Sequence, residues 1–224
     1  MFEIVITAGL LILILWVLFS RHKTTERNAK ALNMSVFSIK SIDDFIDESG
    51  LLDVFKKMHL KGWNRFLYGD PYVALEKVVQ NGKAGYYVAI PKKYEELLIE
   101  NIHVKKTDDD ILPKDKKYSA VHLHKGQPLV RFGESKLHES EGMALQVLVR
   151  HTHDGQGRFE SNVRIIGWAD SKDRSAGILG LKNGWNRESR KTVFDFFSRI
   201  FENDRRIRLS FGDLKDFLIN KFVY

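Results

Sequence analysis

Five histidines fall in one stretch of the chain, His122, His124, His138, His151 and His153. Residues i and i+2 of a strand share a face, so His122 with His124, and His151 with His153, could each turn two imidazoles toward one metal ion, the nitrogen-donor chemistry of zinc. No acidic residue or third histidine is placed by the sequence to complete a shell, so the pairs read as polar positions on two strands and no metal is assigned. Asp108, Asp109 and Asp110 offer clustered carboxylates of the kind a hard cation prefers. They lie among Lys105, Lys106, Lys114, Lys116 and Lys117, where a solvated loop of mixed charge is the simpler account. Gly177, Gly180 and Gly184 lack the Gly-x-x-x-x-Gly-Lys-Ser/Thr pattern of a phosphate loop, and no Gly-x-Ser-x-Gly elbow occurs. No catalytic residue and no cofactor is assigned, and the chain reads as a non-enzyme.

The remaining constellation is basic. Arg187, Arg190, Lys191, Arg199, Arg205, Arg206 and Arg208 are interleaved with Trp185, Phe194, Phe196, Phe197 and Phe201. Cations with exposed aromatics suit single-stranded nucleic acid, through counterion release and base stacking. The phenylalanines also fall at the spacing of a helix core, which predicts that most are buried. Nucleic acid, or another anionic partner, is the alternative reading of this segment.

The elements that must position these residues follow from periodicity. Met34 to Lys40 alternates as a half-buried strand. Ser41 with Asp44 resembles a capping box ahead of a helical stripe of Phe45, Leu51, Leu52, Phe55 and Met58. Tyr72 to Gln80 alternates, Asn81-Gly82 carries the residues of a tight hairpin, and Gly85 to Ile90 is a second β-rich run. Pro91 suits the first turn of a helix with Tyr94, Leu97, Leu98 and Ile102 on one face, and Val104 to Thr107 closes the unit as a strand. The order β-α-β-β-α-β is the split βαβ, ferredoxin-like unit. The pattern partly repeats with strands over Tyr118 to His124, Leu129 to Phe132, Met143 to His151 and Phe159 to Ala169. Helical material follows at Ile178 to Leu181 and Val193 to Phe201, then a strand over Arg206 to Phe211 and a short helix at Leu214 to Leu218. The expected fold class is α+β, with two ferredoxin-like modules of antiparallel sheet over 33–110 and 116–224. A single sheet shared by both is the open alternative.

Ahead of these modules, Phe2 to Phe19 is almost wholly apolar, with Glu3 its one charge. At 1.5 Å per residue, about 17 residues cover roughly 25 Å, the low end of a hydrocarbon core. Residues 1–20 are therefore expected to be a single transmembrane helix, with Trp16 in the interfacial belt. Arg21, His22, Lys23, Arg27 and Lys30 come after the apolar run, so residues 21–32 read as a basic juxtamembrane stalk. Arg21, Lys23, Arg27 and Lys30 would then contact the membrane surface. Positive flanks stay inside, which predicts an uncleaved signal anchor in the inner membrane, its N-terminus outside and the bulk of the chain cytoplasmic, with the lipid bilayer as one partner.

Composition sets the outer limits. The 224 residues are 43% hydrophobic and 29% charged, enough for one or two domains with real cores and unlike a wholly disordered chain. A formal net charge of +7 favours acidic partners. The absence of cysteine removes disulfide frameworks, cysteine-bound zinc, iron–sulfur clusters and thiol nucleophiles.

Several segments together resemble the N-terminal, membrane-anchored region that precedes the motor domain in bacterial conjugation and type IV secretion-like ATPases. The parallels are the apolar leader with its basic stalk, Ser35 to Lys40, and Gly85-Tyr-Tyr-Val-Ala-Ile-Pro-Lys-Lys-Tyr94 running into Glu95 to His103. Glu141-Gly-Met-Ala-Leu-Gln-Val-Leu-Val-Arg150 and Val163-Arg-Ile-Ile-Gly167 complete them. The resemblance implies a docking or scaffold protein that positions an assembly. Its partners would be proteins, namely a separate motor ATPase or further copies of itself. It carries over no functional residue, because none of the matched segments holds one.

Overall fold

The computed structural model describes residues 2–40, 48–58, 70–107, 111–123, 137–152, 158–180, 187–210 and 212–215. It opens with α1 (Phe2–Leu32), β1 (Met34–Ile39) and α2 (Glu48–Lys57). β2 (Val73–Gln80) and β3 (Lys83–Pro91) then form a hairpin. Its turn residues Asn81 and Gly82 both take positive φ, 53° and 67°, the conformation of a type I′ turn, which Asn-Gly adopts at small steric cost. Pro91 ends β3 opposite Met34 instead of opening the helix. A 3₁₀ turn, Lys92–Tyr94, intervenes before α3 (Glu95–Asn101), and β4 (Val104–Thr107) follows.

β1, β3, β2 and β4 pair in the order β4-β1-β3-β2, each neighbour antiparallel. That is the predicted split βαβ arrangement. The second half supplies β5 (Lys117–Leu123), β6 (Gly142–His151), β7 (Phe159–Ala169), α4 (Lys172–Ile178), α5 (Arg187–Phe197) and β8 (Ile207–Leu209). It keeps the order β5-β7-β6, matching β1-β3-β2 of the first half. β8 differs, pairing with the Phe159–Ser161 end of β7 instead of lying outside β5. The two halves are not separate sheets: β2 and β6, which occupy equivalent places, hydrogen-bond along their whole length, Val73 opposite Val149 through Gln80 opposite Gly142. The join removes two exposed strand edges.

Both faces of the sheet are covered. On the first face, Phe37, Val88, Leu75, Leu145, Val163 and Ile165 form one core with Val54 and Phe55 of α2, Leu98 of α3 and Ile178 of α4. On the second face, α5 packs over β5 and β7, with Phe196 against Ala120, Ala144, Ile166 and Trp168. Residues 111–113 lie over the first half on this side, Ile111 against the cluster of Val36, Ala74 and Ala89. Two-sided cover explains why β2 is buried at every position from Val73 to Val79, Glu76 and Lys77 included.

The N-terminal expectation is corrected. No helix among the described residues is long and apolar enough to cross a membrane. One helix runs unbroken from Phe2 to Leu32 in place of an anchor over 1–20 and a stalk over 21–32. Its apolar portion stops at Phe19, and the helix continues into the polar and charged residues from Ser20 onward. The transmembrane helix, signal anchor and single-pass inner-membrane placement therefore fall away. Arg21, Lys23, Arg27 and Lys30 are positions along this same helix, Arg21 exposed. The expected cap at Ser41 and Asp44 and the strand at Leu129 to Phe132 lie outside the described residues.

Gly142 shows how closely the sheet is packed. It faces Trp168 across the β6–β7 pairing, and an added Cβ would fall 2.1 Å from the indole Cζ2 and 2.7 Å from the Val79 carbonyl oxygen. Trp168 is fully buried and has nowhere to retreat. Gly142→Ala is expected to lower stability by about 2–3 kcal/mol, read as a shift of the urea midpoint at unchanged slope.

Candidate functional site

Four polar side chains stand directly opposite one another across four adjacent strands. Glu76 of β2 faces Gln146 of β6, Gln146 faces Arg164 of β7, and Arg164 faces His122 of β5. Directly opposed residues share a face, so the row lies beneath α5, and all four are buried. A buried polar group without a partner is costly, and the end of α5 supplies partners. The last carbonyls of a helix have no intrahelical donor. Gln146 Nε2 donates to the Phe196 carbonyl (2.9 Å) and to Glu76 Oε1 (2.8 Å). Arg164 Nη1 donates to the Asp195 carbonyl (3.0 Å) and to Gln146 Oε1 (3.1 Å), while its Nη2 donates to the Ile200 carbonyl. A guanidinium at a helix C-terminus also meets the negative end of the helix dipole. Burial holds Arg164 below its usual range, to about 10.

Arg199 closes the turn after α5. Its N–H donates to the Phe196 carbonyl and that of Ile200 to the Asp195 carbonyl, the Schellman pattern in which the penultimate position is left-handed and usually glycine. Here it is arginine at φ 49°, a strained choice for a long side chain. The side chain turns inward, Nε to Glu76 Oε1 at 2.8 Å and Nη2 to Oε2 at 3.2 Å, and Tyr72 donates to the Arg199 carbonyl at 2.7 Å. The fork geometry is one that only arginine offers.

Above this pair opens a cleft of about 350 Å³. Its floor is Glu76 and Arg199, at the seam between the half-sheets. One wall is the strap 111–114, the other Phe196 and Phe197 at the end of α5. Tyr118 of β5 ties the walls together: its hydroxyl donates to the Pro113 carbonyl and its ring meets Phe197 edge-on, centroids 5.1 Å apart. Burial, and then the charge of Asp115, push the Tyr118 phenol up to about 12.

The residues singled out by sequence separate in space. His122 is 3% exposed, His138 is exposed and His151 half-buried, while His124 and His153 lie outside the described residues, as do Asp108, Asp109 and Asp110. Among the described residues no three histidine or acidic side chains gather as a metal site. Arg199 is internal. Lys191 bridges Glu202 and Asp195, Arg205 pairs with Glu202, and Arg206 pairs with Glu160. Arg190 and Arg208 are exposed, and Arg187 begins α5. Phe196 and Phe201 are buried as the helical spacing predicted, whereas Phe194 and Phe197 are 62% and 47% exposed. Glu76, Gln146, Tyr118 and Arg164 were missed. For Glu76, Gln146 and Arg164 the signal was a charged or amide residue within an apolar strand, which alternation assigns to a solvated face; Tyr118 carried no such signal.

No known family matches the chain, and no curated protein matches it.

Two expectations follow. His122 is held well below its ordinary 6.5, to about 4, by burial first and then by the Arg164 charge, with Arg205 acting the same way and Glu202 against it. The unfolded chain therefore binds the extra proton first. This contribution is complete above pH 6.5 and is lost as pH falls toward 4, amounting to about 3 kcal/mol. Between those limits His122→Gln should flatten the acid limb of stability against pH, measured by urea unfolding. Arg199→Gly should relieve the left-handed strain yet still cost about 3 kcal/mol, because it strands the buried Glu76 carboxylate. Adding Glu76→Gln should recover part of that loss in a double-mutant cycle.

Proposed function

We propose that this chain is a non-catalytic docking module whose partner is a protein surface seated on the outward side of α5. The observation that carries this reading is the exposed stripe Arg190, Phe194 and Phe197, at helical spacing i, i+4 and i+7. The opposite side of the same helix is occupied, with Thr192, Asp195 and Phe196 buried. Two large aromatics left in water beside an arginine have the composition of an interface core, where aromatic and arginine residues are enriched. The positive balance of the chain, +7, asks for an acidic rim around the apolar anchor that fills the space at Phe194, and that complementarity speeds encounter. The likeness of several strand segments to conjugation and type IV secretion-like ATPases makes a motor subunit of a transfer assembly the first partner to assay.

The test places a photo-crosslinking amino acid at position 194 in the native cell, identifies the adduct and measures its affinity as a purified protein. Phe194→Ala is expected to weaken that complex about tenfold or more while leaving the melting temperature in place. Adducts consisting only of nucleic acid or of further copies of this chain would refute the reading. Equal affinity of the variant for the purified partner would refute it too.

A further inference from the structure

We propose that an arginine stripe on the second face of the sheet, Arg206, Arg208 and Arg158, is a contact surface for the phosphate backbone of double-stranded DNA. The inference does not rest on the docking reading, which uses the outward side of α5.

Four residues from Arg164 toward the start of β7, a second polar row crosses the sheet. Arg150 of β6 stands opposite Glu160 of β7, and Glu160 stands opposite Arg208 of β8. Directly opposed residues share a face, and here the face comes to solvent, with Arg158, Arg206 and Arg208 exposed. Glu160 anchors the row. Its Oε2 accepts from Arg150 Nε at 2.7 Å and also from Arg150 Nη2, and its Oε1 lies 3.0 Å from Arg206 Nη1. The Arg150 guanidinium also rests on the Phe201 ring, 4.4 Å from its centroid, so Arg150 supports the row from beneath. One carboxylate therefore holds two guanidiniums while a third faces it across the strands.

The outer arginines form a line. Arg206 has extended backbone, φ −73° and ψ 140°, and directly precedes β8, so Arg206 and Arg208 fall on the same side of the chain. Arg158 precedes Phe159, which pairs with Leu209, and that register sets it one step beyond Arg208. Each two-residue step along a strand spans about 7 Å, close to the separation of successive phosphates on a nucleic-acid strand. The guanidinium fork matches phosphate oxygens. Among the described residues Arg158 and Arg208 make no side-chain hydrogen bond or ion pair, and Arg206 uses one of its five N–H donors on Glu160.

The charge at this end is unbalanced. Lys191, Arg150, Arg158, Arg205, Arg206 and Arg208 stand against Glu160, Glu202, Asp204 and Asp213. Glu202 is already shared by Lys191 and Arg205, and Asp213 accepts from the N–H and hydroxyl of Ser210. The excess positive charge repels itself, and a polyanion relieves it. A duplex suits the stripe better than the other polyanions. Phe159 and Phe201 are buried, so no ring is offered for the base stacking on which single-strand binding depends. Ile207 and Leu209 are buried too, which leaves nothing apolar at the stripe to enter a lipid interface.

Fluorescence anisotropy of a labelled random-sequence duplex, titrated with the purified full chain over a series of salt concentrations, tests the proposal. The expected dissociation constant is roughly 1–100 μM near physiological salt, and log K against log salt should have a slope of about −3 or steeper, from 0.9 per phosphate over three contacts. Arg158→Ala and Arg208→Ala should each reduce that slope by about 1 and weaken binding severalfold, with the melting temperature unchanged. Arg208→Lys should keep the slope, because it keeps the charge. Absence of duplex binding at low salt, or a slope that neither alanine variant moves, would overturn the proposal. So would tighter binding of a single strand of the same length, equal affinity for polyglutamate, or phosphatidylserine vesicles whose binding depends on both arginines while that of the duplex does not. Phe194→Ala should leave duplex binding unchanged, which separates failure here from failure of the docking reading.

Discussion

The carbonyl groups at the end of α5 must be satisfied where water does not reach them, and much of the second half of the structure follows from that demand. The helix comes down on the sheet with its C-terminal turn buried, so the strands beneath have to donate hydrogen bonds. Gln146 and Arg164 do so from adjacent strands, reaching the carbonyls of Phe196, Asp195 and Ile200. Two residues earlier on β7, Asn162 repeats the arrangement, donating to the Glu202 carbonyl at 2.9 Å and accepting from its N–H at 2.6 Å. Charges drawn into this region are balanced locally. Burial alone would raise the Glu202 carboxyl, but Lys191, Arg205 and Arg164 outweigh it and hold the group below its ordinary value. Asp195 is pushed the other way, by burial first and then by Glu202. A buried ionic network of this kind is weak evidence for stability but strong evidence for a single geometry, since losing any one member leaves another charge uncompensated.

The same network connects the halves of the chain. Glu76 belongs to β2 and Arg199 to the turn after α5, 123 residues apart in sequence, and the pair sits where β2 meets β6. On the first face α2 of the first half crosses to the second, packing on β6 and placing the Phe55 ring 5.5 Å from that of Phe159 on β7. On the second face two elements reach toward the seam from opposite directions, the strap from one side and α5 from the other. The cleft is the space they leave, and a floor of paired charges between apolar walls results from placing a polar row under a helix end. The hydroxyl of Tyr118 ties the strap to β5 at Pro113.

Much of the strand pattern was legible because alternation and turn chemistry are local. Asn81-Gly82 named its own turn and Phe159 to Ala169 its own strand, whereas the expected stripe of Val193, Phe194, Phe197, Ile200 and Phe201 is buried only at Ile200 and Phe201. The same locality explains the errors. Alternation places Glu76 and Lys77 on opposite faces, and both are buried because the sheet is covered on both sides, which no single strand can report. Phe194 and Phe197 share the spacing of core residues, but α5 has one buried side and they lie around from it. The leading apolar run was read by composition as a membrane span. The structure shows it as the first part of a longer helix that continues into polar sequence.

The sequence by itself determined the order of elements and the split βαβ pairing of the first half, the basic balance of the chain and the exclusion of cysteine chemistry. These follow from residue type and from spacing over a few positions. Tertiary structure alone decided that two half-sheets join through β2 and β6, that Arg199 turns inward to Glu76 and that a cleft opens over the join. Each of these depends on which distant segments come into contact, and the free energy of satisfying a buried carbonyl or carboxylate is set by its partner across the fold, not by its neighbours along the chain.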